Sequence, residues 1–184
     1  QFVWGFDLGN VNNFLLQVVF KAGLVLSVIS CGKNIERYSG VKSIVNDKST
    51  VSSLSGEYTD LNGNIINLEQ LNSKTQVIIF AQDLCAVCSE EAFELSDYVK
   101  KNGLPSVFEI RHILVESFID DAKDWVQSHQ VQWSVGIGSF EVFKNYCSSM
   151  QVPCLIIFKP NVGITFQHTG KLSAEQITRE AGGW

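Results

Sequence analysis

From residue 76 onward, apolar residues fall into short unbroken runs separated by stretches with helical spacing. Gln76-Val-Ile-Ile-Phe80 is a continuous apolar run and predicts a core strand over 76–82. Ser89 to Lys101 then sets Ala92, Phe93, Leu95, Ser96 and Val99 near helical spacing. Gly103 supplies the C-cap of this helix, and Pro105 stands just beyond it. Val107 to Glu116 reads as the next strand. Ile119 to Gln130 reads as a helix whose Asp120 and Asp121 suit the positive end of its dipole. A short strand over Gln132 to Ile137 leads to a helix over Phe140 to Ser149, with Phe140, Phe143, Tyr146 and Cys147 inward. Cys154 to Lys159, the turn Pro160-Asn-Val-Gly163 and Ile164 to His168 form a hairpin. Ala174 to Ala181 closes the chain as a helix with Ser173 as its N-cap. Strands alternating with helices predict an α/β sheet, and the final hairpin makes that sheet mixed.

Upstream the pattern changes. Phe14 to Ser30 is strongly apolar but is broken by Lys21, so as a membrane-spanning helix it is too short and carries a charge in its middle. With Lys21 as a late basic residue, Ala22 to Ser30 becomes a short hydrophobic region. Val28-Ile-Ser-Cys31 then resembles a bacterial lipobox, whose cysteine is acylated. A plain signal or anchor, or a buried segment, are the alternatives. Gly32 to Gly56 is rich in Ser, Lys, Asn and Asp without a sustained period and reads as a solvated tether. The expected organisation is a signal and lipid-anchor segment over 1–31, a tether over 32–56 and one folded domain over 57–184, with the mature protein starting at Cys31.

Composition narrows the classes. The chain has 184 residues, 45% of them hydrophobic, enough for one domain with a sizeable core plus a tail. A net charge of −5 argues against a nucleic-acid partner. There is no internal repeat and no Gly-rich phosphate loop. Five cysteines are too few for a disulfide scaffold and form no zinc-like pair of pairs. If Cys31 carries lipid, four remain: Cys85, Cys88, Cys147 and Cys154.

Two of these stand where chemistry is expected. Cys85-Ala-Val-Cys88 lies between the first core strand and the helix that follows. Unpaired N–H groups and the positive end of a helix dipole favour a thiolate there. The spacing of three lets the second sulfur reach the first. The edge outside the carboxyl ends of the strands is also where open α/β sheets place their sites. Cys85, nearer the helix start and the more exposed, is expected to attack a partner disulfide, and Cys88, the more buried, to resolve the adduct. Much later, Met150-Gln-Val-Pro153 opens another apolar run. A proline at the mouth of a buried strand removes a ladder donor; it becomes sensible as a cis residue packed beside the cysteine pair.

The order strand, CxxC, helix, strand, helix, Val-Pro, hairpin, helix resembles a thioredoxin fold. More narrowly it is similar to the TlpA/ResA group of extracytoplasmic thiol–disulfide oxidoreductases. Cys85-Ala-Val-Cys88-Ser-Glu-Glu91 fits the CxxCxxE pattern of that group, and Asp60-Leu-Asn-Gly-Asn-Ile-Ile-Asn-Leu-Glu-Gln-Leu71 is similar to its lead-in hairpin. The resemblance covers roughly residues 57 to 180. The group's Trp before the first cysteine is Leu84 here, and its usual Pro before the second is Val87. The resemblance implies a thioredoxin-like mixed sheet flanked by helices and a buried Glu91 that relays protons to or from the cysteines. It implies Val152 and Pro153 as the edge that pairs with a bound partner, without cofactor or metal. The implied partners are disulfide-bearing exported proteins and an upstream membrane thiol reductant, in the periplasm or another extracytoplasmic space.

Negative groups near the pair (Asp83, Glu90, Glu91) disfavour thiolates and so point to a reducing couple rather than a strong oxidant. The alternative is a copper chaperone of the SCO type on the same fold, with Cys154 as a third soft ligand. Against it stand the CxxC spacing, where that type has CxxxC, and the lack of a histidine near Pro153. A peroxiredoxin would need a Pro-x-x-x-Thr-x-x-Cys loop, which is absent. Strand alternation predicts that Cys154 faces away from Pro153 into the core as a small hydrophobe. A bond to Cys147 and participation beside Cys85 and Cys88 are its alternatives. His112 reads as a satisfied core histidine, and Trp125 and Trp133 as packing aromatics.

Overall fold

A computed structural model describes residues 53–184. The segments read as anchor and most of the tether, Cys31 included, lie outside the described residues. Seven strands form one sheet: β1 (Glu57–Asp60), β2 (Ile65–Asn67), β3 (Thr75–Ala81), β4 (Phe108–Val115), β5 (Ser134–Gly138), β6 (Cys154–Lys159) and β7 (Gly163–Thr169). Their order is β2-β1-β5-β4-β3-β6-β7. β3, β4 and β5 run parallel, and every other pairing is antiparallel. The helices are α1 (Ala86–Asn102), α2 (Ile119–His129), α3 (Phe140–Tyr146) and α4 (Ala174–Ala181). The mixed sheet expected from the apolar pattern is therefore present.

The uninterrupted apolar run of β3 has a simple cause, since the strand is covered on both faces. Ile78 and Phe80 pack with Phe143 and Tyr146 of α3, while Val77 and Ile79 pack with Leu95 and Val99 of α1 and Ile177 of α4. Neighbouring Ala81 joins Ala122 and Trp125 of α2. Gly136 in β5 explains how β1 reaches the sheet. A Cβ there would lie 2.5 Å from the Thr59 carbonyl oxygen and 2.5 Å from the Tyr58 ring.

The tether reading fails at its last residues. Leu54 is fully buried in the α3-side core, and the Ser55 N–H and C=O both bond the Tyr146 hydroxyl, at 2.6 and 2.7 Å. Ser and Gly around one leucine gave no period from which to read this packing. The helix expected over 140–149 stops at Tyr146, with Cys147 as its C-cap.

Candidate active site

The first turn of α1 builds the site. Sequence spacing placed the helix start at Ser89, but it begins at Ala86, with Cys85 as the N-cap residue in extended backbone (φ −88°, ψ 109°). Its sulfur accepts the Cys88 N–H at 3.3 Å. The apolar period could not see this turn, because its first residues answer to the cap rather than to the core. The two cysteines thus occupy N-cap and N3, with Cα atoms 5.2 Å apart, and are joined as a disulfide. A thiolate at Cys85 would keep that N–H donor and the field of the helix end.

The expected order of exposure holds, but Cys85 itself is not open: it is 4% exposed, against 0% for Cys88. The covering is local, as Val87 and Val152 pack on the apolar cluster that contains both cysteines. Next to it, Leu84 is 96% exposed. Asp83 accepts the Ser117 hydroxyl at 2.9 Å and so ties the β3–α1 turn to the β4–α2 loop. There Phe118, 75% exposed, fills the N-cap position of α2 without a side-chain capping bond. A polar cap is the ordinary choice at such a position. The sequence marked Leu84 only as the residue in place of the group's Trp, and it did not mark Phe118.

The Val152–Pro153 bond is cis, as expected. Phe80 and Cys154 are the last pair of the β3–β6 ladder, so Pro153 arrives beside the end of β3, just before the Cys85 turn. The Pro153 carbonyl accepts the Gly170 N–H at 2.8 Å.

Glu91, one turn beyond Cys88, is buried. Its Oε1 accepts the Leu172 N–H at 2.9 Å, and its Oε2 has no hydrogen-bond partner within the protein. Burial pushes its carboxyl up to about 7; the Leu172 N–H and the Lys171 ammonium pull it back, while Glu94 adds to the rise. Lys171 pairs with Glu94 at 3.0 Å. The segment from Gly170 to Leu172 therefore touches both the Pro153 backbone and the α1 acid. Nothing local in the sequence connects Leu172 with Glu91, which stand 81 positions apart.

Cys154 required a correction. It is fully buried, as strand alternation predicted, but it is bonded to Cys147 (S–S 2.02 Å, Cα–Cα 6.3 Å) rather than lying as a lone thiol. The turn after α3 brings the helix end back to the strand, with the Met150 N–H donating to the Cys147 carbonyl at 3.0 Å. A sulfur held in that bond is not a third ligand beside Cys85 and Cys88. No group of three or more His, Cys, Asp or Glu suited to a metal occurs among the described residues.

His112 is buried, and its Nδ1 accepts the Trp133 indole N–H at 2.8 Å. Trp125 stacks between His112 and His129, with ring centroids 5.2 and 4.5 Å away. Trp125 and Trp133 pack as expected, but His112 is a core histidine only half satisfied: its Nε2, like the Trp125 indole N–H, has no hydrogen-bond partner within the protein.

No family model matches the chain, and neither does any curated protein. Solved structures do. A secreted disulfide oxidoreductase of Mycobacterium tuberculosis, homologous to E. coli DsbE, superposes with a TM-score of 0.58 at 18% identity, covering 70% of this chain and 95% of that one. DsbF from the same organism gives 0.60 at 16% identity over 70% and 93%. A thioredoxin-family thiol:disulfide interchange protein from Chlorobium tepidum gives 0.60 at 14% identity over 73% and 96%. The chain thus has a thioredoxin-like fold, and it carries its CxxC pair at the N-terminus of the first sheet-following helix.

Proposed function

We propose that this protein is a thiol–disulfide oxidoreductase that reduces disulfides of exported proteins through Cys85 and Cys88. One observation carries the reading: the Cys85 sulfur caps α1, with Cys88 one turn on and Val152, the residue before the cis Pro153, packed against the same cluster. The Cys85 thiolate attacks one sulfur of a partner disulfide, forming a mixed disulfide and releasing the partner's other sulfur as a thiolate, which takes a proton. The Cys88 thiolate then attacks Cys85, releasing the second partner thiol and closing the Cys85–Cys88 disulfide. Two electrons pass to the partner, and an upstream membrane dithiol restores the pair. Glu91 supports the exchange by accepting and returning a proton, for which a buried carboxyl near neutrality is suited.

Exposed Leu84 and Phe118, with half-exposed Met150 ahead of Pro153, offer apolar contacts to residues flanking the partner disulfide. The Val152 backbone supplies a short antiparallel pairing. Reduction is the favoured direction because Asp83 and Glu90 stand close to the pair in sequence and Glu91 adds negative charge once it ionises. Placement outside the cytoplasm, on a lipid carried by Cys31, is supported by the Val28-Ile-Ser-Cys31 pattern and by the secreted M. tuberculosis protein of like fold.

Trapping tests the assignment. A Cys88→Ser chain expressed in a bacterial envelope should accumulate covalent adducts at Cys85, and Cys85→Ser should accumulate none. The reverse result would exchange the two roles, and adducts from neither variant would remove the redox function. Lipid mass on the peptide that starts at Cys31 is expected from the same preparations; a free Cys31 thiol in a soluble product sinks the tether.

A further inference from the structure

The Cys147–Cys154 disulfide has no part in the exchange just described. Both of its cysteines are fully buried, in the core formed with Phe80, Tyr146 and Ile156, where no partner sulfur can approach. Its role follows from where it closes. Cys147 is the C-cap of α3 and Cys154 the first residue of β6. The bond therefore joins the two ends of the segment 148–153, which carries Met150, Val152 and Pro153. Besides the packing of Val152 on both neighbouring core clusters, three hydrogen bonds restrain the segment. The Met150 N–H bonds Cys147 O at 3.0 Å, the Gly170 N–H bonds Pro153 O at 2.8 Å, and the Ser149 and Thr169 hydroxyls meet at 2.9 Å on the surface. Met150 holds φ +52°, the left-handed region that a side chain of its kind seldom adopts unless its surroundings impose it.

We propose that the Cys147–Cys154 disulfide is a positioning staple for partner capture: it fixes both ends of the loop that presents Val152 and Pro153 to the substrate of the Cys85–Cys88 pair. This role rests on the exchange reaction proposed above. A bond that served only to raise overall stability could lie anywhere in the core. This one spans the segment whose backbone must already be in place when a partner docks. Freeing one end lets the loop sample other conformations, and ordering it then has to come out of the binding free energy. The N-cap position of Cys85 and its Cys88 N–H donor, set by α1, are left in place, and only the cover that Val152 lends is loosened. The staple is a substrate-affinity device, separate from the redox couple.

The test uses the full chain, with Cys147→Ala and Cys154→Ala combined, insulin as a protein disulfide and glutathione as a small one. The KM for insulin should rise about tenfold, as lost preorganisation predicts, while kcat and the Cys85–Cys88 equilibrium with glutathione stay within about twofold of the parent, since each is set by α1. An unchanged KM, or a glutathione equilibrium that moves with it, overturns the staple. Hydrogen exchange on the parent chain tests it even where the variant does not fold or the Cys85–Cys88 pair proves inert towards insulin. Graded phosphine reduction should open the Cys85–Cys88 pair, where Cys85 keeps 4% exposure, before the fully buried Cys147–Cys154 pair. The Met150 and Gly170 amides should exchange at least about tenfold faster only after the second step, because local opening then no longer has to break the closed loop. Equal exchange before and after that step would refute the proposal.

Discussion

Glu91 shows how one side chain can serve both the fold and the site. Its Oε1 ties α1 to the turn before α4 through Leu172, and burial holds its proton to about pH 7. Above that value a negative charge sits on the face of α1 that carries Cys88, opposing thiolate formation. Glu91→Gln removes this charge and should lower at least one active-site thiol pKa by about one unit, the size of a partly buried charge interaction. Thiolate absorbance of the reduced proteins checks this, and superimposable titrations would take Glu91 out of the mechanism. Much of this was legible in the sequence. The CxxCxxE spacing marked Cys85, Cys88 and Glu91, and a proline ahead of an apolar run marked Pro153. The covering of Cys85 was only half legible: Val87 is local, but Val152 comes from the lead-in to β6, distant in sequence though next to β3 in the sheet. The contact between Leu172 and Glu91 escaped for the same reason. Sequence patterns report local geometry, and both features are made by tertiary contacts.

At the scale of elements, apolar runs and caps located most strands and helices to within a few residues. β6 and α4 have the expected limits, and α4 has both bonds of a capping box between Ser173 and Gln176. Errors arose where an element is set by backbone or sulfur rather than by period. The start of α1 is set by a cysteine cap, and the end of α3 by the turn that carries Cys147 to Cys154. The β1–β5 pairing gives a direct test. Gly136→Ala places a methyl carbon against the Thr59 carbonyl, which cannot retreat without breaking the ladder, and against the buried Tyr58 ring. A loss of about 1–3 kcal/mol is expected from such overpacking, read as a lower urea midpoint. The disulfide exchange rate of Cys85 should hold, because β1 and β2 lie at the sheet edge away from α1. Unchanged stability would show that β1 is held by its Leu54 lead-in rather than by close backbone approach.

Across the whole molecule, two buried titratable groups set opposing limits on pH. Burial, reinforced by the nearby His129, depresses the His112 imidazole to about 3. In the folded protein it stays neutral while the unfolded chain takes up a proton, so its contribution is present above the unfolded value of about 6.5 and is lost as pH falls. Glu91 works the other way. Its folded value is raised, so the folded state holds a proton that the unfolded chain releases from about 4.5, and stability is lost as pH rises through about 7. Between those unfolded values the two contributions nearly cancel. Glu109 and His168 tilt the acid side further. Burial raises the Glu109 carboxyl, but hydrogen bonds from Gln76 and Arg111 outweigh it and hold the group low, while burial lowers His168. For the chain with both disulfides closed, stability should therefore peak near pH 6 to 6.5, the upper end of that window. It should fall steeply on acidification below about 4.5 and decline on the alkaline side until Glu91 is fully ionised. Glu91 alone is worth roughly 3 kcal/mol from its unfolded to its folded value, at 1.36 kcal/mol per pKa unit, of which His112 offsets all but about 1 kcal/mol below pH 6.5. Urea unfolding at a series of pH values measures the profile, and Glu91→Gln should flatten the alkaline limb and, with the cancellation gone, let the His112 decline begin near pH 6.5 instead of below about 4.5. An alkaline limb that survives in the variant would assign it to another group and return Glu91 to an ordinary carboxylate.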